Sequence, residues 1–241
     1  MNANAPRRIG RFAATSNMTL ALQTMHSAIN APEGVERIVL LYGPTGYGKT
    51  VAVTHVATST DAVYIEITSL WTVKWFLTTL ARELGLSYIA RTSTEILDQV
   101  IAKINEDQRP LIIDEADFML VRGSPEVLRD IYRATKTPIM LVGEESFPAR
   151  IKRWERFDNR ILCSTPAVPA SLGDGHLLRD IYCERVAISD DLTDHFTQSA
   201  KGVTRRIVTM LQNAQSFAVE TLESTSLDLA TWQAARQAKP L

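Results

Sequence analysis

The chain has only two cysteines in 241 residues, Cys163 and Cys183. They lack metal-type spacing and have no obvious histidine partners. That argues against a disulfide framework or a zinc site and leaves two reduced, buried thiols as the expectation. Four histidines, His26, His55, His176 and His195, show no pairing pattern and read as structural or exposed. No apolar run is long enough to span a bilayer, so no membrane partner is expected. The N-terminal MNANAPRRIGRF is basic but leads into no apolar stretch, so it is not a secretory signal and the expected compartment is the cytoplasm. An excess of one charge is missing too. With 26 Lys and Arg against 27 Asp and Glu the net charge is −1, so any surface for nucleic acid must be local. Internal repeats and low-complexity segments are absent.

What is present is a sizeable apolar fraction, 45% of the residues, enough for one large domain or one domain with a small appendage. Five short apolar runs read as strands covered on both faces: Arg37–Gly43, Ala62–Thr68, Pro110–Glu115, Pro138–Glu144 and Arg160–Thr165. Helical patterns alternate with them, including KTVAVTHVATS, WTVKWFLTTLARELG, STEILDQVIAKINED and SPEVLRDIYRATK. Gly85 and Ser124–Pro125 mark helix boundaries. This alternation predicts an α/β fold, a three-layer core around a five-stranded parallel sheet. The stretch STPAVPASLGDG reads as a linker, and everything after it reads as helical, with Ser189 as an N-cap ahead of Asp190 and Asp191. The expected division is an α/β core over residues 1–168 and a small C-terminal α-helical lid over 169–241.

GPTGYGKT, Gly43 to Thr50, fits G-x-x-x-x-G-K-[ST] between a strand and a helix. In that context the backbone N–H groups of Gly43, Thr45, Gly46, Tyr47 and Gly48 wrap phosphate oxygens, Pro44, which has no N–H, takes its place in the same phosphate-binding turn, and Lys49, Thr50 and Val51 open the helix beneath them. Lys49 reaches the β- and γ-phosphates, and the Thr50 hydroxyl ligates Mg²⁺. LIIDEADFML supplies the acids. Asp114, at the end of a buried strand, is placed to hold Mg²⁺, and Glu115 to polarise the attacking water. Asp117 has no required role there, and helix capping is its expected job. The letters D-E-A-D also name a helicase class, but those enzymes need two full domains, which this length does not hold. No N-K-x-D is present to specify guanine, so ATP is the expected nucleotide. A nucleotide kinase with an arginine-rich lid is less easily excluded.

ARIKRWERFDNRI carries Arg150, Lys152, Arg153, Arg156 and Arg160. One of these could serve a neighbouring subunit as an arginine finger. Arg160, immediately before the last strand, is favoured, Arg156 and Arg153 stay open, and a solvated basic face is the alternative. In KGVTRRI, Arg205 could fold over the phosphates or be an ordinary surface residue.

Together, Gly43–Thr50, Leu111–Glu115, Arg160 and the G-x-x-R at Gly202–Arg205 resemble the AAA+ ATPases over nearly the whole chain. The compact size, the lid ISDDLTDHFTQSAKGVTRRIVTML and the strand ending LVGEESF look most like the transposition helper ATPases, the phage Mu B protein and TnsC. That resemblance implies ATP- and Mg²⁺-dependent assembly of a homo-oligomer, ring or filament, on double-stranded DNA without sequence preference. It also implies delivery of target DNA to a DDE transposase in a bacterial or phage-infected cell. Two departures stand out. Only a short basic segment precedes the core, so DNA binding would rest on the ATPase domain. The sensor position after the fourth strand, usually Asn, Thr or Ser, holds Glu144. Lys74 and Arg122 are the first candidates for phosphate contact, with Arg91 and Lys103 behind them. Trp71 and Trp75, four apart, are expected to share one packed face. The resemblance places Ile9–Phe12 near the adenine.

Overall fold

The computed structural model describes residues 13–121 and 126–238. Ile9–Phe12, Arg122 and Ser124–Pro125 lie outside the described residues. The chain divides into two compact units. One holds Met18–Thr45 and Lys49–Ala167, and the other holds the described residues of Met1–Asn17, Gly46–Gly48 and Val168–Leu241.

In the first unit, helix α1 (Ser16–Ile29, from Met18 on) precedes β1 (Ile38–Tyr42), α2 (Lys49–Thr60), β2 (Val63–Glu66), α3 (Val73–Glu83), α4 (Ser93–Asp107) and β3 (Leu111–Asp114). Then come α5 (Asp117–Val121), α6 (Glu126–Thr135), β4 (Ile139–Gly143), α7 (Phe147–Ile151), α8 (Glu155–Asp158) and β5 (Ile161–Pro166). The strands form one parallel sheet in the order β2-β3-β4-β1-β5. β3 and β4 are buried throughout and β1 all but its last residue, as continuous apolar runs between helical layers should be. β5 departs from that expectation. It is an edge strand whose residues are half-buried or exposed, and Thr24 and Ser27 of α1 meet Thr165 and Cys163 on it. Cys163 is therefore only partly covered, while Cys183 is buried and its thiol pKa is pushed up to about 11 by burial.

This strand order matters chemically. Placing β4 between β1 and β3 brings the C-terminal ends of all three together. The Gly43 N–H donates to the Gly143 carbonyl (3.3 Å), and the Ala116 N–H to the Val142 carbonyl (2.9 Å). Loops following those strands share one edge of the sheet, where ligands of open parallel sheets sit.

The tryptophans part company. Trp71 precedes the Thr72 N-cap of α3, so helical spacing does not apply to it. It is 1% exposed and donates its indole N–H to the Phe118 carbonyl (2.9 Å). Trp75, inside the helix, is 37% exposed. Trp71, Phe76, Tyr132 and Phe147 are the largest side chains of the core, joined by α4, which a Thr92–Glu95 capping box starts.

The second unit contains α9 (Leu172–Tyr182), α10 (Asp190–Ser199), α11 (Thr204–Glu220) and α12 (Leu229–Ala238) around Leu178, Phe196, Leu211 and Trp232. The linker reading of STPAVPASLGDG narrows here. β5 runs on through Pro166, and Ser171 and Asp174 already form the capping box of α9. Ser189 is extended as an N-cap is, but its hydroxyl turns to the Asp191 carboxylate instead of the helix backbone. Sequence reading missed a two-stranded parallel ribbon, β6 (Ala187–Ile188) with β7 (Ser226–Leu227), too short to show a period-2 pattern.

Candidate functional site

At the end of β1, Gly46 and Gly48 have φ of +89° and +82°, a left-handed backbone that glycine adopts without a Cβ penalty. The turn leads into α2, whose first-turn N–H groups have no helical partners. Lys49 Nζ donates to the carbonyls of Gly43 (2.6 Å) and Pro44 (3.1 Å), which holds the ammonium inside the turn. Burial lowers its pKa, and the carboxylates of Asp114, Glu115, Asp117 and Glu144 oppose that shift. Thr50 and Val51 are exposed on the first turn of α2.

Asp114 is 2% exposed at the end of β3. Its Oδ2 accepts from the Tyr64 hydroxyl (3.0 Å) and its Oδ1 from the Glu115 N–H (2.9 Å). Burial, then the charge of Asp114, raises the Tyr64 pKa far enough to keep it a hydrogen-bond donor. Glu115 has φ of +54°, a strained conformation for a residue with a side chain. Burial and Asp114 raise its carboxyl pKa, with Lys49 pulling the other way. Among the described residues no cluster of three or more His, Cys, Asp or Glu could hold a metal ion. A divalent cation would therefore need oxygens from a substrate besides Asp114 and Thr50, which suits Mg²⁺ beside a polyphosphate.

Asp117 is more than a cap. It is 6% exposed, and its Oδ2 accepts the Glu144 N–H (2.7 Å) while its Oδ1 accepts from Arg150 Nη1 (2.8 Å). Burial raises its pKa against those two contacts. Gly143 is obligatory beside it, because a Cβ there would stand 2.4 Å from Asp117 Oδ2 and 2.5 Å from Phe147 Cγ. The sensor candidate Glu144 thus has a fixed backbone and an exposed side chain that acts electrostatically on Lys49 and Glu115.

Gly46–Gly48 group with the helical unit. The Arg205 N–H donates to the Gly46 carbonyl (3.0 Å), and a Cβ on Gly46 would meet Val203 at 3.0 Å. The Arg205 side chain is exposed. Asn17 was not foreseen. It is 4% exposed, donates Nδ2 to the carbonyls of Tyr47 (2.9 Å) and Val168 (2.8 Å), and accepts the Val168 N–H at Oδ1 (2.8 Å). Asn17→Ala should leave those groups unpaired and cost about 1–3 kcal/mol. A drop in Tm of about 4–8 °C is expected for a loss of about 2 kcal/mol, and calorimetry showing none would mean these bonds contribute nothing.

Arg160 lies at the start of β5, beside β1 at its Glu36–Arg37 end, with Nη1 on Glu36 (2.8 Å) and a buried Nε without a hydrogen-bond partner. A cavity of about 420 Å³ opens there, lined by Glu36, Arg129, Arg133, Arg156, Asn159 and Arg160. Of the other cluster members, Arg150 is engaged by Asp117, while Lys152 and Arg153 are exposed. Lys74 and Arg91 are exposed, and Lys103 is held by Glu106 (3.1 Å) and Asp107 (2.9 Å). No described helix is long and apolar enough to cross a membrane.

Residues 33–151 match the family described as AAA domain. No curated protein matches the chain. Among solved structures, the Orc1 protein of Aeropyrum pernix in complex with DNA superposes with a TM-score of 0.61 at 20% identity, over 92% of this chain and 64% of that one. Cdc6p from Pyrobaculum aerophilum gives 0.59 at 14%, over 94% and 66%, and a Thermotoga maritima RuvB mutant gives 0.58 at 15%, over 92% and 68%. The chain thus spans just under two thirds of the length of the first two. Its fold is the α/β AAA+ fold, with the five-stranded parallel sheet and C-terminal helices, and the matched AAA-domain segment spans just under half of the chain.

Proposed function

We propose that this AAA+ chain binds and hydrolyses ATP with Mg²⁺, assembles side by side with copies of itself, and grips double-stranded DNA through phosphate contacts in its ATP state. The observation that carries the reading is the gathering of Lys49, Asp114, Glu115 and Glu144 at the adjoining ends of β1, β3 and β4. Lys49 and the glycine turn bind the phosphates, and Arg205, whose N–H is bonded to the Gly46 carbonyl, is the arginine that the G-x-x-R resemblance assigns to sensing the γ-phosphate. Glu115 takes a proton from the attacking water. Asp114 and Thr50 would hold Mg²⁺, which when bound neutralises charge on the phosphate oxygens. The likeness to an Orc1 solved with DNA supports the DNA partner. The narrower reading, a transposition helper that delivers target DNA to a DDE transposase, rests on the resemblance of LVGEESF and the lid sequence to Mu B and TnsC. Core and lid divide at about residue 168.

Arg160 serves a neighbour in this reading. It stands at the opposite end of β1 from the glycine turn, a five-residue strand away, about 16 Å, too far to reach its own subunit's γ-phosphate. Arg160→Ala should cut turnover about 10³-fold while sparing ATP affinity. Wild-type turnover per site should rise with protein concentration, and duplex DNA should shift in a gel with ATP but not without it. Concentration-independent turnover would overturn the trans arginine. An absence of DNA binding in both states would overturn the DNA reading and leave a nucleotide switch.

A further inference from the structure

Asp117 is bonded in two directions at once. Its Oδ2 fixes the Glu144 N–H at the end of β4, on the edge that carries Lys49 and Glu115. Its Oδ1 and main-chain carbonyl take both terminal nitrogens of Arg150 (2.8 and 3.1 Å). That planar, two-point grip fixes the orientation of the guanidinium as well as its position. Arg150 belongs to α7, and turn hydrogen bonds run from there without a break. Arg153 N–H donates to Arg150, Trp154 to Ile151, Phe157 to Trp154, and Arg160 to Phe157. Phe147, Ile151 and Phe157 are 1–3% exposed, so the segment is set into the core on one side. Close packing around Gly143 leaves no slack, since even a methyl group would collide with the Asp117 carboxylate.

We propose that Asp117 is a positioning residue: a single carboxylate sets both the Glu144 end of β4 and the arginine-bearing segment 150–160. It aligns the groups that act on the subunit's own γ-phosphate and, through Arg150, those offered to the neighbour's. This deepens the ATPase reading and rests on it.

The test uses Asp117→Asn, which keeps the shape and an acceptor for the Glu144 N–H but loses the charge that grips Arg150. Wild type is assayed first, and if it fails to hydrolyse ATP the ATPase reading falls by itself. Given an active wild type, Asp117→Asn should lower kcat at least 10-fold with the Kd for a fluorescent ATP analogue within twofold of wild type. Arg150→Gln should do the same, and the double variant should be no worse than either single one, because both remove one contact. Wild-type kcat in Asp117→Asn, or a kcat loss matched by an equal loss of nucleotide affinity, would overturn the proposal. A mixing experiment tests the second direction. Glu115→Gln subunits, which supply arginines but do not hydrolyse, should restore turnover to Arg160→Ala subunits. Glu115→Gln subunits that also carry Asp117→Asn should restore less than one tenth as much. Equal restoration would overturn the claim that Asp117 sets the arginine segment.

Discussion

Lys49→Ala should abolish ATP binding at working concentrations, and with it hydrolysis and ATP-dependent DNA binding. The Lys49 ammonium is bonded to Gly43 and Pro44 inside the turn, within electrostatic reach of Asp114, Glu115, Asp117 and Glu144. Its removal leaves four carboxylates on the edge where a triphosphate must sit. One charge pair at about 4 Å and an effective dielectric of about 20 contributes about 4 kcal/mol. At about 1.4 kcal/mol per tenfold, that is close to three orders of magnitude in affinity. The fold should survive, because burying this ammonium already carries a desolvation cost that lowers its pKa. Calorimetric titration with ATP and electron microscopy with duplex DNA are the measurements. Normal ATP-dependent assemblies from this variant would remove the basis for placing ATP at Gly43–Thr50.

The parts of this site that the sequence discloses are those written in consecutive letters. Gly43–Thr50 and Leu111–Glu115 are short strings whose spacing is the chemistry, and buried parallel strands must be apolar without a break. What it hides are contacts between distant residues. Asn17 meets partners 30 and 151 positions away, and no local pattern marks it. Asp117 stands in plain view within the acidic string, yet its partners Glu144 and Arg150 lie 27 and 33 positions on, so capping was the only role the local sequence could suggest. Trp71 departs from the helical expectation for a related reason. Helical spacing from Trp75 presumes a helix already begun, and Thr72 begins it one residue too late. β5 lacks the double cover its apolar letters suggest, because an apolar run does not say where in the sheet it falls. Its place at the edge follows from the strand order, which depends on every other strand.

Glu115→Gln should separate the two steps that Lys49→Ala removes together. The Glu115 N–H is bonded to Asp114 Oδ1, and its backbone is held at φ of +54°, a conformation that persists only where surrounding structure imposes it. Strain of this kind aims the side chain, and the neutral amide keeps nearly the same shape and aim. What it loses is the capacity to accept a proton from water. A positioned general base contributes about 10²–10⁴-fold, so turnover should fall by that order. ATP affinity should hold or rise, since a carboxylate beside the Asp114 charge becomes neutral next to an anionic substrate. With binding intact and hydrolysis slow, the ATP state should accumulate, and complexes with duplex DNA should outlast those of wild type in a competitor chase. Lys49→Ala should give the opposite result, no ATP-dependent complex at all. If Glu115→Gln turned over ATP at the wild-type rate, Glu115 would not be the base, and the strained backbone at the end of β3 would need another explanation.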